Sequence, residues 1–596
     1  MTRLACRLLR RPTRFSTASH SQVSIRSVRV TPLHHVTPNR QVPFRSYATE
    51  SPHPSSQATD RSQKPMPEVS PDDTYDIVII GGSNAGLALA CALLTKPSIR
   101  ATSKILLLEG GSMNKTRIWN GEGPWENRVS SITAENKSWL ESIGAWQHIK
   151  HSRICPVEEM IVWANPSPSS TPTLHFPPLG HPMAYMTENQ NLQTALLHRI
   201  LSLDPDSSTL KIQESSKVTS MSLSSSGQSV FLQLTPSKST TVPSTIRAGL
   251  VIGADGPNSP VRKFSNIETY GHPYSTHAIV CTLHHPSSPY LNTTAFQRFL
   301  PSGPIAFLPL SATSSTLVWY NPPSITSSLK SLSSETFTTM INFAFSLPET
   351  TLNRIYQLLS SSPPSTANLT EQINEILNSV PLDTQTDQTL PPRIESISQE
   401  SIGSFPIKMS HADSYLGQRT VLVGDAAHTI HPLAGQGLNM GLSDVRSLSN
   451  TLEIARSLGG DIGSWTNLKD YPKERYGENH LLLSATDKLN WVFKSRGKVI
   501  DGIRGIGLEL LNEIGPIKKL FMSGAGAYPI YTQTSGSFTK GMGRGMRGTG
   551  KGRMEMLADG LESWWKVKDN LGLVSGMMRD VASTGLKKVA EVVEKR

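Results

Sequence analysis

Three short segments of this 596-residue chain carry residue types that could hold a dinucleotide. In the first, Gly81, Gly82, Ser83 and Gly86 stand where a tight turn, a close pyrophosphate and close helix packing would each call for a small residue. Ser83 occupies the middle position of the pattern G-x-G-x-x-G, and such a pattern carries weight only in context. Glu109 lies 23 positions after Gly86, directly after four apolar residues, where a carboxylate can accept hydrogen bonds from the hydroxyls of a ribose. The competing reading of Glu109 is a solvated acid at a strand end. The second segment holds Asp255 and Gly256, with Asp255 read equally as a cofactor contact or as a cap for backbone amides. The third runs from Gly424 and Asp425 through Pro432 to Gly435, Gln436, Gly437, Leu438 and Asn439, with glycines that let amides approach a ring or a phosphate. His428 and His431 have the i, i+3 spacing of a metal pair, but Pro432 opposes a regular helix and no third ligand stands nearby, so no metal is expected.

These segments need strands and helices to hold them. Tyr75 to Ile80 reads as a short buried strand, residues 87–94 as a buried helix and Ile105 to Leu108 as a second strand, together a βαβ unit. Leu250 to Gly253 and Thr420 to Val423 read as further buried strands that deliver the second and third segments. Between them, alternating stretches at 278–283 and 316–320 suit an antiparallel sheet with one face covered. Pro/Ser stretches at 166–182, 222–246 and 321–335 read as punctuation, residues 360–395 as a polar excursion and 442–523 as helical. The expected fold is α/β: a doubly wound, Rossmann-like domain, an interleaved antiparallel-sheet substrate domain and a helical C-terminal region.

The net charge of +11 suggests a polyanion binder until its placement is traced. Nine arginines and no acidic residue fall in 1–47, the composition of a mitochondrial transit peptide rather than of a nucleic-acid-binding arm. Without them the charge is +2, and residues 528–596 alone carry +5, so no nucleic acid is expected as a partner. Three of the four cysteines, Cys91, Cys155 and Cys281, lie beyond the leader without C-x-x-C spacing and read as buried thiols. In the 528–596 extension, Leu573, Met577, Val581, Leu586, Val589 and Val593 form a helical stripe that suits a membrane surface, the body of the protein or a partner.

In this order, the three segments resemble the fingerprints of FAD-dependent aromatic hydroxylases with the p-hydroxybenzoate hydroxylase fold. Asn127 to Thr133, Ile143 to Trp146, Trp163, Thr187 to Asn189, Gln297 to Leu310, His428 to Asp444, and Tyr471 with Glu474, Arg475 and Asn479 further resemble the mitochondrial ubiquinone-biosynthesis monooxygenases, over residues 75–525. The resemblance implies FAD as cofactor, with Asp425 near the ribitol and pyrophosphate, Pro432 and Gly435 to Asn439 beside the isoalloxazine, Asp255 and Gly256 near the dinucleotide, and Arg128 and Gln193 as further contacts. It implies C5-hydroxylation of a polyprenyl 4-hydroxybenzoate by O2 through a flavin C4a-hydroperoxide. Electrons would come from a ferredoxin and its reductase, within a complex of ubiquinone-biosynthesis proteins at the matrix side of the inner membrane, with peripheral membrane contact.

Catalytic side chains are not assigned. Arg298 would orient an acidic head group or form a structural ion pair, and Pro432 would flank the ring. The expected parts are a transit peptide at 1–47, a flexible lead-in at 48–74, the monooxygenase at 75–527 and the basic extension at 528–596. Within the monooxygenase, FAD-binding segments fall at about 75–165, 185–270 and 400–450, and the substrate domain at 271–399. The open alternatives are a FAD-dependent hydroxylase or epoxidase of another aromatic or polyprenyl compound, and a FAD-stabilised scaffold subunit.

Overall fold

The strand Thr74–Ile80 lies between two parallel neighbours, Ile105–Leu108 and Ser244–Gly253. Ile77, Val78 and Ile79 are wholly buried, so no solvent side remains for a polar residue. Leu210–Gln213 extends the sheet at one side and Thr420–Leu422 at the other, both parallel. The computed structural model describes residues 69–164, 174–178, 180–236, 244–287, 291–300, 302–361, 367–379, 390–432 and 435–494. The expected leader, most of the lead-in, the 528–596 extension and the helical stretch beyond 494 lie outside the described residues.

The helix Asn84–Leu94 is buried along its whole length from Gly86, packed against Asn189–Leu203 and Gly437–Ser457. Its continuous apolar run reflects that sandwich. Cys91 faces this core, and burial pushes its thiol up to about 12, as it does those of Cys155 and Cys281. All three thiols are free and buried.

A second, nine-stranded sheet is built around the long strand Thr269–His284, paired with Gly403–Ala412 and Ser314–Asn321. Gly303–Pro309 and Thr294–Leu300 continue it, and Glu159–Trp163 joins parallel to Thr294–Leu300. Glu159–Trp163 and Gly403–Ala412, which fall within the expected FAD-binding segments, belong to this nine-stranded sheet. The pairings that place them there, with Thr294–Leu300 and with Thr269–His284, join residues more than 100 apart in sequence, and local pattern does not reveal such pairings. A three-stranded sheet of Val129–Thr133, Ala184–Glu188 and Ile154–Val157 accompanies the two larger ones.

Two stretches read as punctuation are ordered elements. Val230–Pro236 is a strand in which Val230, Leu232 and Leu234 turn inward, joined to Ser216–Leu223 and Ser244–Gly253. Four helices, Pro323–Ser331, Ser334–Ser346, Glu349–Ser361 and Ala367–Asn378, cover the outer face of the large sheet. Their Ser/Thr-rich outer faces hide a narrow apolar stripe that includes Phe337, Ile341, Ile355 and Ile373. Ile373 is wholly buried within the expected polar excursion. Ile373→Asn is expected to cost about 3 kcal/mol, read as a shift of the denaturant midpoint. A surface excursion would show no shift.

Candidate active site

The carboxyl ends of the parallel strands bring the three segments together. Gly81 N–H donates to the Leu108 carbonyl at 2.8 Å, Ala254 N–H to that of Ile80 at 2.9 Å, and Val423 N–H to that of Gly253 at 3.0 Å. A crevice at the ends of such strands is where doubly wound sheets hold ligands. Gly81 has φ +110°, and a Cβ there would stand 2.3 Å from the Ala254 carbonyl oxygen, so first and second segments touch backbone to backbone. A Cβ on Gly86 would lie 1.8 Å from the Gly81 carbonyl oxygen. Gly424 abuts Ala85 and Gly441, which seats the third segment on the first helix and on Gly437–Ser457.

Glu109 receives Gly82 N–H at 2.6 Å and Gly111 N–H at 2.7 Å, which fixes its carboxylate at the mouth of the glycine turn. Ser83 is the N-cap residue of Asn84–Leu94, but its side chain makes no capping bond. Its hydroxyl instead accepts from Gln193 Nε2 at 3.4 Å. Arg128 is exposed, and its carbonyl accepts from Asn189 N–H at 2.9 Å, which ties it to the start of the helix bearing Gln193. Ser83, Gln193 and Arg128 thus share one side of the crevice.

Asp255 accepts from Val261 N–H at 3.3 Å through one oxygen, and its other oxygen is buried without a hydrogen-bond partner. Burial raises its carboxyl above the usual value, against opposing hydrogen bonds from Ser259 and Val261. Gly256 has φ +80° with open space around it. Asp425 reaches solvent yet is hemmed in by protein, as a group in a cleft would be. That enclosure raises its carboxyl, with His428 and Lys408 opposing.

Pro432 and Gly435 form a turn, closed by Gly435 N–H to the Pro432 carbonyl at 3.0 Å. Gln436 is the N-cap residue of Gly437–Ser457, again without a side-chain cap, and Leu438 packs on the main core. The Asn439 side chain is fully engaged. Its oxygen accepts from Thr133 N–H and from Asn136 Nδ2, each at 3.0 Å, and its nitrogen donates to the Ser131 carbonyl at 2.8 Å. Its amide therefore clamps the turn to the neighbouring strand.

The residues present fit a dinucleotide cofactor. Asn84–Leu94 and Gly437–Ser457 open onto the crevice with no side chain capping their first amides, so amide dipoles face the place a pyrophosphate would take. The unpartnered buried oxygens of Asn84 and Asp255 match hydroxyl donors.

Arg298 lies elsewhere. It is wholly buried on the outer face of the large sheet, donating to the Ala344 carbonyl at 2.8 Å and to that of Leu347 at 2.7 Å. Both carbonyls belong to the C-terminal end of Ser334–Ser346, so Arg298 serves that helix end in place of an ion pair. On the inner face, His431 packs edge-on to Tyr274 at 4.7 Å and against Tyr320 at 5.2 Å, beside Ala278, Ile407 and Val318.

One cluster joins residues that sequence reasoning named only separately. Asp444, wholly buried, meets His428 Nε2 at 2.6 Å and accepts from Arg475 Nε at 3.0 Å, Asn479 Nδ2 at 3.0 Å and Gly424 N–H at 3.1 Å. Burial alone would raise the Asp444 carboxyl, but His428, Arg475 and Asn479 outweigh it and hold it at about 2. Asn479 also donates to the Tyr415 hydroxyl at 3.1 Å, which shares a 2.7 Å bond with His411. The i, i+4 pair Arg475 and Asn479 on one helix face was the available signal.

A crevice of this form, facing an antiparallel sheet, suits a FAD-dependent monooxygenase, and similarity to known proteins shows that class. The profile of the family described as FAD binding domain matches residues 139–478. Among solved structures, p-nitrophenol 4-monooxygenase PnpA from Pseudomonas putida matches with TM-score 0.53 and 15% identity over 77% of this chain and 100% of that one. PqsL from Pseudomonas aeruginosa, a probable FAD-dependent monooxygenase, matches with TM-score 0.51 and 17% identity over 73% and 99%. Those likenesses concern the fold.

Sequence relatives are closer. Ubiquinone biosynthesis monooxygenase COQ6, mitochondrial, of Schizosaccharomyces pombe is 36% identical over 75% of this chain and 91% of its own length. The Homo sapiens protein of the same name is 34% identical over 76% and 93%. The chain belongs to the COQ6 family of ubiquinone biosynthesis monooxygenases, and FAD is its cofactor.

Proposed function

We propose that this enzyme hydroxylates C5 of the ring of a polyprenyl 4-hydroxybenzoate, with electrons from a ferredoxin and its reductase. Its place is the matrix side of the mitochondrial inner membrane, in a complex with other ubiquinone-biosynthesis proteins. The carrying observation is the inner face of the large sheet, where Tyr274, Tyr320, Val318, Ala278 and Ile407 surround His431 directly before Pro432. That is a buried apolar and aromatic cluster, of the chemistry suited to the neighbourhood of a ring with a hydrocarbon tail. Among the described residues no helix is long and apolar enough to cross a membrane, and peripheral contact is assigned to the 528–596 extension.

FAD supplies the activation of O2, chemistry that no side chain provides. Glu109 holds the ribose hydroxyls, and Gly81, Gly82, Ser83 and Gly86 with the first helix N-terminus receive the pyrophosphate. Arg128 and Gln193 close that side, Asp255 and Gly256 lie along the dinucleotide, and Asp425 holds the ribitol region. The turn from Pro432 through Gly435, Gln436, Gly437 and Leu438 to Asn439 presents its backbone to the ring system. The protein's further task is to hold the phenol in place and exclude water.

The test is quinone-intermediate profiling in a deletion strain that lacks its own enzyme and is rescued by this chain. Asp425→Ala is expected to abolish rescue, with the phenol lacking only its C5 hydroxyl accumulating. Full rescue by that variant would sink the assignment in favour of a scaffold. With purified enzyme, flavin reduction by NADPH alone at the full turnover rate would remove the ferredoxin from the proposal.

A further inference from the structure

Residues 119–128 join the short helix Asn114–Ile118 to the strand Val129–Thr133 and form no helix or strand themselves. The second half of this segment is nevertheless gripped residue by residue, chiefly by one buried ion pair. The Arg153 side chain is 8% exposed and that of Glu188 0%, and Arg153 donates to both carboxylate oxygens, from Nε at 2.8 Å and from Nη2 at 2.5 Å. The same guanidinium donates to the Gly123 carbonyl at 3.1 Å and to the Pro124 carbonyl at 3.2 Å. It also lies 3.9 Å from the centre of the Trp125 ring, within cation–π range. Glu188 completes the grip by accepting from Glu126 N–H at 2.8 Å.

Glu188 is the N-cap residue of Asn189–Leu203, yet its carboxylate serves the segment and makes no capping bond to its own helix. Four acceptor oxygens and a ring face surround the Arg153 guanidinium. The planar fork of arginine reaches all of them, whereas the single nitrogen of lysine would keep the charge and lose the reach. Beyond Glu126 the segment is pinned from other sides. Asn127 Nδ2 donates to the Ser401 carbonyl at 2.8 Å, and the Arg128 carbonyl accepts from Asn189 N–H at 2.9 Å. The Arg128 side chain is left uncommitted: it is exposed and, among the described residues, enters no hydrogen bond or ion pair. A fixed backbone carrying a free guanidinium is how a preorganised ligand contact is built, because less freedom is lost on binding.

We infer that Arg153 is a positioning residue for the cofactor. Together with Glu188 it fixes the backbone of residues 123–128, so that Arg128 is held on the side of the crevice where Ser83 and Gln193 meet. Arg153 acts through Arg128, and the inference rests on the assignment of Arg128 to the flavin made under the proposed function. It is independent of which phenol is hydroxylated and of the electron donor.

Equilibrium dialysis of the FAD-loaded full chain gives the cofactor dissociation constant for the wild type, Arg128→Ala, Arg153→Lys and the double variant. Lysine is chosen because Arg153→Ala would strand the buried Glu188 and endanger folding. Arg128→Ala is expected to weaken binding roughly tenfold, and Arg153→Lys by about three- to tenfold. The double variant should bind no more weakly than Arg128→Ala alone, since a displaced backbone matters little once its side chain is gone. Ile373→Asn, in the helical cover, should lose stability yet bind FAD as the wild type does, so instability alone does not move this readout. Wild-type affinity in Arg153→Lys, losses that multiply in the double variant, or an equal loss in Ile373→Asn would overturn the inference. Wild-type affinity in Arg128→Ala would instead remove Arg128 from the cofactor site, and the inference with it.

Discussion

Gly86→Ala is expected to yield protein that retains no FAD through gel filtration, with cofactor affinity reduced roughly 100-fold or more. The added methyl would lie 1.8 Å from the Gly81 carbonyl oxygen, and its other near neighbour is the short Ala254 methyl, so no flexible side chain is there to yield. The helix Asn84–Leu94 must then move away from the turn, carrying its N-terminal amides with it. Its wholly buried surroundings resist that movement, so a stability loss of about 1–3 kcal/mol accompanies it. Gly459→Ala is the control. Its φ of +70° is strained for alanine but nothing lies within 4 Å, so a cost of roughly 1 kcal/mol and near-normal flavin content are expected. Equal flavin content in the two variants would refute the packing argument.

Asp444→Ala is expected to cost about 3–5 kcal/mol, because it strands His428 and Arg475 in a buried site without their carboxylate. It also removes the acceptor of Gly424 N–H, so cofactor retention should fall along with stability. The pH dependence has a definite sign. A carboxyl held at about 2 in the folded state contributes its stability above the unfolded value near 4, and that contribution fades as pH falls through about 2. Wild-type unfolding free energy should therefore decline between pH 4 and 2 more steeply than that of Asp444→Ala, as read by denaturant titration. Parallel declines would refute the assignment.

The crevice was legible in the sequence because its demands are local. A glycine turn, an isolated acid after an apolar run and an Asp-Gly bend each declare themselves within a few residues. Ser83 looked like a defect in the pattern and stands instead at the helix cap, paired with Gln193. What stayed hidden was distributed. Asp444, His428, Arg475 and Asn479 come from three elements, and nothing within any one of those elements shows that the four side chains meet. Arg298 was read for its charge, yet strand alternation sends it with Phe296 and Leu300 to the helical side. The four-helix cover was masked by surface composition, since serine and threonine on an outer face leave only Ile373 and its like to mark the inner one.

The path of the chain between the sheets bears on how the enzyme is made. It leaves the parallel sheet after Leu108, visits the antiparallel one at Glu159–Trp163, returns for Leu210–Gln213 and Ser244–Gly253, departs again at Thr269, and comes back at Thr420–Leu422. On the ribosome, the glycine turn is therefore synthesised more than 300 residues before the strand that completes its crevice. Contacts of such long sequence separation form late and slowly. Cofactor capture consequently waits until residues 420–439 have been made, and a flavin-loaded chain is one whose parallel sheet has closed.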